Sequence, residues 1–249
     1  MAYFIPRSAK NITEKGSLMN RFLRLEKLIG KDNLENLAQK KVAIIGCGGV
    51  GGYVIESLAR SAIGTLILID YDVVEDTNLN RQLIATNSTI SLSKVSCYQE
   101  RVHNINQQCN VILYQEKLTA NNIDEFITDD VDYVVDACDD TKAKEAILTF
   151  CIMKHIPFIS CMGTGNRFDP SKLEIMPLNK TQNDPLARRM RHFVKEHHIN
   201  QKIMVCCSTE VPIKTDDNTI ASIVVVPATA GLLIASYVLN QLLTNNEKK

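Results

Sequence analysis

The chain has 249 residues, of which 45% are hydrophobic, and its 28 Lys and Arg balance 28 Asp and Glu to a formal net charge of zero. This length is sufficient to bury a hydrophobic core without disulfides or a structural metal. Zero net charge excludes a protein that binds nucleic acid with its whole surface, although it permits a local basic patch.

The first two thirds of the chain alternate between short β-branched runs and helical segments. Continuous apolar strands separated by helices are typical of a parallel sheet that is buried on both faces. The pattern therefore predicts a doubly wound, Rossmann-like α/β fold with a mostly parallel sheet and helices on both faces. The predicted strands are 42–45, 66–69, 111–113, 133–135 and 158–160, and the predicted helices are 51–61, 93–107, 121–127 and 141–154.

The last third is less regular and forms an elaborated C-terminal half. We predict a basic helix at 186–198, strands at 203–207 and 220–226, and a final helix. No charged side chain occurs from residue 218 to residue 246, and this segment is long enough to span a bilayer. Pro227 and several polar residues interrupt it. We therefore interpret it as a buried strand and a core or dimer-interface helix, not as a membrane span.

The expected organisation is an N-terminal extension, residues 1–20, followed by a single domain over 21–249. The extension has no apolar run long enough for a secretory signal, and a short organellar transit peptide is the alternative. The eight cysteines form no C-x-x-C pair, which argues against a structural zinc site and for a reducing compartment. A cytoplasmic location follows.

A glycine-rich turn between the first predicted strand and helix carries the first sign of chemistry. Its sequence is GCGGVG, with Gly46, Gly48, Gly49 and Gly51. Such glycines let the backbone approach a phosphate, and the helix end that follows offers unpaired N–H groups. Asp70 ends the next strand, where an acidic side chain accepts hydrogen bonds from ribose hydroxyls. These features predict a nucleotide site but do not separate NAD from ATP.

Cations and carboxylates further along the chain favour a triphosphate. A triphosphate under attack needs fixed cations and a metal to spread the developing charge. Arg81 and Lys94 are candidates for the cations, and Asp139 or Asp140 for the Mg²⁺ ligand, because both follow a predicted strand. The alternative for Asp139 is a helix N-cap, since a helix is predicted to begin near Thr141.

Taken in chain order, these motifs resemble a known family. The order GxGGxG, IDxD, NxNRQ, a Lys and DAxDD is similar to that of the ubiquitin-activating-type adenylating family, with its ThiF, MoeB and HesA relatives. The resemblance implies ATP as substrate, Mg²⁺ on Asp139, and a homodimer in which Arg24 of one subunit reaches the nucleotide of the other. It also implies that 21–249 is a single adenylating domain, with a nucleotide-binding half over about 21–165 and a substrate and dimer half over about 166–249. The remaining ATP-binding residues that it implies are Gly46, Gly48, Gly49, Gly51, Asp70, Asp72, Asn78, Arg81, Gln82 and Lys94.

The C-terminal half resembles one branch of that family. Segments MGTGN (162–166), FDP (168–170), STE (208–210) and VPATAG (226–231) are similar to those of tRNA threonylcarbamoyladenosine dehydratases, which act on adenosine 37 of tRNA. The branch implies that the threonine carboxylate is adenylated and that ring closure then expels AMP, a net dehydration without a covalent enzyme nucleophile. Ala221 departs from the branch, where Gly is frequent, and this puts the local turn geometry in doubt.

A basic stretch gives the predicted tRNA contact. Residues 185–202 contain Arg188, Arg189, Arg191 and Lys195 against one acid, Glu196. Such a helix face gives salt-sensitive, sequence-independent affinity for phosphates, and a solvated helix face is the alternative. A monovalent cation and a sulfur-transfer or redox protein are further partners that no motif specifies.

Three functions therefore stay open. One is the tRNA dehydratase, and the second is an adenylyltransferase that activates the C-terminus of a ubiquitin-like sulfur carrier. The third is a NAD-dependent oxidoreductase or a non-catalytic nucleotide-binding module. The lack of zinc pairs favours the first over the second.

Overall fold

The computed structural model describes residues 21–217 and 219–244. The N-terminal extension expected at 1–20 lies outside this part of the chain. The strands are β1 (Lys41–Ile45), β2 (Thr65–Ile69), β3 (Asn110–Tyr114), β4 (Tyr133–Asp136), β5 (Phe158–Cys161), β6 (Leu173–Pro177) and β7 (Met204–Ser208). The helices are α1 (Leu23–Ile29), α2 (Lys31–Leu37), α3 (Gly51–Arg60), α4 (Lys94–Ile105), α5 (Ile123–Phe126), α6 (Thr141–Lys154), α7 (Pro185–Glu196) and α8 (Val225–Thr244).

All seven strands join one sheet in the order β3-β2-β1-β4-β5-β7-β6. Every pair is parallel except β6 with β7, which is antiparallel. The predicted doubly wound α/β fold is therefore confirmed. The chain leaves β1 toward β2 on one side and returns to β4 on the other. In such sheets ligands bind where the order reverses, at the carboxyl ends of the strands.

Two apolar layers cover the sheet because its central strands present aliphatic side chains to both faces. One layer contains Val42, Ile44 and Leu68 together with residues of α3 and α8. The opposite layer contains Ile45 and Ile67 together with residues of α5 and α6. Burial on both faces explains why these strands are continuous apolar runs rather than alternating ones.

The strand predicted at 220–226 is wrong. Residues 219–224 form no strand, and α8 begins at Val225. The place beside β7 is taken by β6, which had not been predicted and which pairs with β7 from Leu173 to Pro177. Because β5 holds the other side of β7, both of its hydrogen-bonding edges are occupied.

Helix α8 is long and apolar enough to cross a membrane by length and composition alone, the one such helix among the described residues. Its stripe of Val226, Ala230, Ile234 and Val238 is buried in the core layer. It approaches α3 so closely that a Cβ at Gly231 would lie 2.5 Å from the Val50 carbonyl oxygen. This packing is that of a core helix.

Candidate nucleotide-binding site

The glycine loop leaves β1 in a conformation that only glycine adopts easily. Gly46 has φ +87°, and its N–H donates to the Ile69 carbonyl at 2.9 Å. A Cβ at Gly46 would lie 2.7 Å from the Ala137 carbonyl oxygen, and one at Gly51 would lie 1.8 Å from the Gly46 carbonyl oxygen. The loop is therefore pressed against the end of β4, beside the position where the strand order reverses.

Asp70 fixes this loop to the end of β2. Its Oδ2 accepts a hydrogen bond from the Cys47 N–H at 2.7 Å, and its Oδ1 accepts one from the Asp72 N–H at 2.9 Å. The side chain is buried, and this burial raises the pKa of Asp70. Asp70 therefore has a loop-holding role that the sequence had not indicated, in addition to the ribose contact predicted for it.

Lys94 is buried at the start of α4 and pairs with Asp72. The Lys94 ammonium lies 2.7 Å from Asp72 Oδ2, and the Lys94 side chain is only 6% exposed whereas that of Asp72 is 45% exposed. The structure thus pairs two of the predicted nucleotide-binding residues. The Asp72 carboxylate faces solvent, and the Lys94 ammonium is buried next to it. The Asp72 carboxylate therefore holds the Lys94 ammonium in place.

The NxNRQ segment wraps over the glycine loop. Arg81 Cγ lies 3.7 Å from the position of a Cβ on Gly49, while its Nη1 donates to the Thr77 carbonyl at 2.7 Å. Asn78 is buried and accepts from the Glu75 N–H at 3.2 Å, so it holds the turn itself. The segment therefore brings a cation to the loop and fixes its own backbone.

Gln82 supplies an acceptor with no partner. Its side chain is 8% exposed, its Nε2 lies 3.7 Å from the position of a Cβ on Gly48, and its buried Oε1 accepts no hydrogen bond from the described residues. A buried polar atom of this kind costs free energy unless a donor is supplied. Its place beside the loop makes a ligand hydroxyl or amino group a suitable donor.

At the end of β4 the structure separates the roles of two neighbouring acids. Asp140 caps α6, because its Oδ1 accepts from the N–H groups of Lys142 at 2.8 Å and Ala143 at 3.2 Å. A hydrogen bond from Lys117 at 2.9 Å holds the pKa of Asp140 below its usual value. Asp139 is exposed and accepts no hydrogen bond from the described residues. The N-cap alternative for Asp139 is therefore wrong.

A buried charge network behind Asp139 was not found from the sequence. Lys144 Nζ lies 2.9 Å from Asp136 Oδ2, both side chains are at most 2% exposed, and Ser160 Oγ also donates to that oxygen. Asp136 Oδ1 accepts from the Cys138 N–H at 3.3 Å, which fixes the turn that leads to Asp139. The available signal was the position of Lys144 on the apolar face of the predicted helix, next to Ala143 and Ile147.

The cysteines near the loop are poorly suited to covalent chemistry. Burial, followed by the charge of Asp70, raises the pKa of the Cys47 thiol well above its usual value. Burial and the charge of Asp136 do the same for Cys138. Because the thiolate is the nucleophile, both groups are unreactive near neutral pH.

The predicted trans arginine and the predicted tRNA-binding residues lie on helices α1 and α7, away from the glycine loop. Arg24 is exposed on α1 and forms no hydrogen bond or ion pair with the described residues of its own chain. On α7, Arg188, Arg189 and Lys195 are exposed, whereas Arg191 is half-buried and its Nη1 donates to the Thr181 carbonyl at 3.0 Å. Arg191 thus has a structural contact within its own chain, and its place in the tRNA-facing set stays a prediction.

Comparison with known proteins gives consistent results. The ThiF family matches residues 19–249. The tRNA threonylcarbamoyladenosine dehydratase of Bacillus subtilis (strain 168) is 36% identical over 249 residues, which cover 93% of this chain and 98% of the relative. The crystal structure of the E. coli tRNA N6-threonylcarbamoyladenosine dehydratase, TcdA, with AMP matches with a TM-score of 0.90 at 28% identity and covers 96% of this chain and 100% of that one. The corresponding ATP complex has a TM-score of 0.89 at 29% identity, over 94% and 98%.

Proposed function

We propose, from the premise that the chain belongs to the ThiF family, that it is an ATP-dependent adenylating enzyme that dehydrates threonylcarbamoyladenosine at position 37 of tRNA. The similarity to the Bacillus subtilis dehydratase over nearly the whole of both chains carries this proposal. The E. coli structures named for that activity with AMP and with ATP support the choice of nucleotide.

The chemistry follows from the carboxylate of the substrate. The threonine carboxylate attacks the α-phosphorus of ATP and displaces pyrophosphate. The resulting mixed anhydride converts a poor leaving oxygen into AMP, and a neighbouring nucleophile of the same modification closes the ring. Proximity within the substrate makes this closure efficient, so no enzyme nucleophile is needed. The buried thiols of Cys47 and Cys138, with their raised pKa values, agree with this route.

Each part of the nucleotide has a group that fits it. The N–H groups of the glycine loop and of the start of α3 face the phosphates, and Asp70 and Asp72 accept from the ribose. Gln82 Oε1 accepts a hydrogen bond from the nucleotide, and Asn78 holds the segment on which Gln82 lies. Arg81 and Lys94 neutralise the polyphosphate. For Lys94 this means sharing its ammonium between Asp72 and a phosphate oxygen.

Asp139 fits a Mg²⁺ ion that arrives with the nucleotide. Mg²⁺ takes one or two carboxylates and completes its shell with phosphate oxygens and water. Asp140 is occupied as the cap of α6 and by Lys117, whereas Asp139 is exposed beside it. When bound, the ion would supply charge neutralisation on the polyphosphate. The network of Asp136 and Lys144 holds the turn that presents the Asp139 carboxylate.

A homodimer would complete the site with Arg24 of the partner subunit. Arg24 has no partner among the described residues of its own chain, and Leu28 on the same helix is 81% exposed. An exposed cation next to an exposed aliphatic side chain is suited to a subunit contact. In this arrangement residues 21–165 supply the nucleotide half and residues 166–249 the substrate and dimer half.

The exposed cations of α7 are the proposed tRNA contact. Arg188, Arg189 and Lys195 are exposed, while Ala187 and Met190 on the opposite face of the helix are buried. Phosphates bound on such a face give sequence-independent affinity. We place the enzyme in the cytoplasm, where the eight unpaired cysteines would stay reduced.

The experiment that tests the function compares two acceptors. The protein is incubated with labelled ATP and either bulk tRNA that carries threonylcarbamoyladenosine or a Gly-Gly-tailed sulfur carrier, and pyrophosphate release is measured. We expect release with tRNA only, together with loss of one water from the modified nucleoside by mass spectrometry. Release with the carrier only would replace the proposal by the carrier-activating function.

A further inference from the structure

The loop that follows β5 presents an aromatic side chain to solvent. Phe168 is the one exposed phenylalanine in the described part of the chain, with an exposed fraction of 64%. An aromatic ring left in water forgoes the stabilisation that burial gives, so a ring held exposed is suited to contact with another molecule. The FDP segment that contains Phe168 has no role in the nucleotide site.

The backbone that carries Phe168 is held firmly. The Phe168 N–H donates to the Glu210 carboxylate at 3.1 Å, and the Asp169 N–H donates to the same carboxylate at 3.1 Å. The side chain of the preceding residue, Arg167, is buried, and its Nη2 donates to the Asn183 carbonyl at 2.8 Å. The ring is therefore presented by a fixed segment, and its own atoms take no part in these hydrogen bonds.

Two exposed isoleucines lie on a neighbouring segment. The segment between β7 and α8 is fastened to Asn166, whose carbonyl accepts from the Ile213 N–H at 2.8 Å and whose N–H donates to the Ala221 carbonyl at 2.7 Å. Ile213 and Ile220 on this segment are exposed. Phe168 and the two isoleucines thus belong to segments that are joined at Asn166, and they form an apolar surface rather than one isolated exposed side chain.

This apolar surface lies on the substrate side of the crevice. The nucleotide is proposed to extend from the loop after β1 toward the acids after β2, whereas β4, β5 and β7 follow one another on the other side of β1. Asn80, next to Arg81, donates to the Ser222 carbonyl at 3.0 Å, so the segment before α8 contacts the NxNRQ segment. A substrate that reaches the phosphates from the side opposite to the ribose therefore passes over this surface.

A basic helix begins beside the same loop. Asp184, which caps α7, has its Oδ2 at 3.4 Å from the Arg167 guanidinium. Arg188 and Arg189, in the first two turns of α7, are exposed. An aromatic face close to exposed arginines fits single-stranded RNA, because unpaired bases stack on aromatic rings while cations meet the backbone phosphates. RNA is therefore the occupant that the combined apolar and basic surface fits, and a second copy of the chain is the alternative.

We propose that Phe168 stacks on an unpaired base of the tRNA loop that contains adenosine 37. Stacking requires a planar face on the side chain and a base that is free to leave its neighbours, so a fully paired duplex gains nothing from it. The contact is independent of charge, in contrast to the contact proposed for α7. This inference deepens the proposed function and rests on tRNA as its substrate.

Two replacements separate the planar face of the ring from its apolar volume. Phe168→Leu keeps an apolar side chain and removes the planar face, whereas Phe168→Trp keeps a planar face. Met153→Ala is the matched control, because Met153 is an apolar side chain that is 66% exposed. It lies near the C-terminal end of α6, at the edge of the sheet opposite to the carboxyl ends of the strands.

Binding is measured with two RNA probes of equal length. One is a hairpin with the tRNA loop that carries threonylcarbamoyladenosine, and the other is a fully paired duplex. We expect Phe168→Leu to raise the Kd for the hairpin about fivefold or more, and Phe168→Trp and Met153→Ala to keep at least wild-type affinity. The Kd for the duplex, the Kd for ATP and the salt dependence of hairpin binding should be unchanged in all three variants, since no charge is removed.

Three results would overturn the inference. The first is wild-type hairpin affinity in Phe168→Leu, and the second is an equal loss of affinity for the hairpin and the duplex. The third is a lower oligomeric mass of Phe168→Leu in sedimentation with wild-type hairpin affinity, which would assign the surface to a second copy of the chain.

A second measurement reports the location directly. The chain contains no Trp, so Phe168→Trp introduces a single fluorescent reporter. We expect a saturable change in its emission with the hairpin and none with ATP, and an unchanged emission while a gel shift shows the hairpin bound would overturn the inference. Failure of the proposed function is distinguishable, because hairpin binding that depends on Phe168 without pyrophosphate release on tRNA would refute only the reaction.

Discussion

The Cys47 N–H in the glycine loop donates to Asp70 Oδ2 at 2.7 Å, so a buried carboxylate at the end of β2 holds the backbone of this loop. The other oxygen of Asp70 accepts from the Asp72 N–H. One side chain therefore fixes the loop after β1 relative to the turn after β2.

Replacing Asp70 by Asn should disturb this arrangement although it changes the side-chain volume little. The amide presents an NH₂ group where the carboxylate has an acceptor, so one of the two backbone donors loses its partner. We expect a loss of about 1–3 kcal/mol in the free energy of unfolding and weaker ATP binding. Urea unfolding and ATP binding measured on the same preparation test this, and a variant that keeps both properties would show that the loop does not depend on Asp70.

The two acids that follow β4 should behave differently on replacement. Asp139→Ala removes no hydrogen bond among the described residues, so its unfolding free energy should be unchanged while pyrophosphate release is lost. Asp140→Ala removes the cap of α6 and should cost about 1 kcal/mol of stability.

Thermal unfolding and ATP–pyrophosphate exchange measure the two effects. Wild-type exchange in Asp139→Ala would refute its role as the metal ligand. Removing Mg²⁺ with EDTA should abolish exchange in the wild-type protein, and adding Mg²⁺ back should restore it.

Arg24 should act across a subunit boundary. Arg24→Ala and Asp139→Ala subunits are each expected to be inactive alone, because every site in either homodimer lacks one group. A mixture at equal amounts forms one complete site in each heterodimer, which gives about one quarter of the wild-type activity if subunits pair at random. Activity of the mixture is the measurement, after denaturation and refolding together to exchange subunits. A mixture that stays inactive while heterodimers are detected by native mass spectrometry would place Arg24 outside the partner's site.

The exposed arginines of α7 should contribute to tRNA affinity through charge. Replacing Arg188 and Arg189 together by Ala should weaken tRNA binding and lower the slope of log Kd against log salt by about 2. The paired control is Lys31→Ala with Lys154→Ala, which removes two exposed cations elsewhere on the chain. Equal salt slopes in the two double variants would contradict the assignment of α7.

Arg191 is expected to differ from its neighbours on α7. Its guanidinium donates to the Thr181 carbonyl, and loss of that donor leaves a buried backbone acceptor without this partner. Arg191→Ala should therefore lower the unfolding free energy by about 1 kcal/mol and leave the salt slope of tRNA binding unchanged. Chemical unfolding together with the salt titration separates it from Arg188 and Arg189.

Much of the fold could be predicted from local patterns. The helix predicted at 141–154 has the same bounds in the structure, and the first five strands in chain order lie within one residue of their predicted limits. These elements combine strong periodicity with clear turn residues, so their conformation is encoded within each segment. The segment 220–226 has an equally apolar composition, but it forms no strand because β6 already occupies the edge of β7. Pairing is decided by what competes for an edge, which composition does not encode.

The sequence by itself determined the order of the motifs, and with it the glycine loop, the acids after β2 and β4, and the family. Only the tertiary structure decided what each side chain does there. It assigned the cap to Asp140, the loop contact to Asp70, the ion-pair partner of the buried Lys94 to Asp72 and the network behind Asp139 to Asp136 and Lys144. The physical reason is that hydrogen bonds and ion pairs act over about 3 Å, between groups that the fold brings together from distant segments. Spacing along one segment fixes where a residue is placed, and its partners come from elsewhere in the chain.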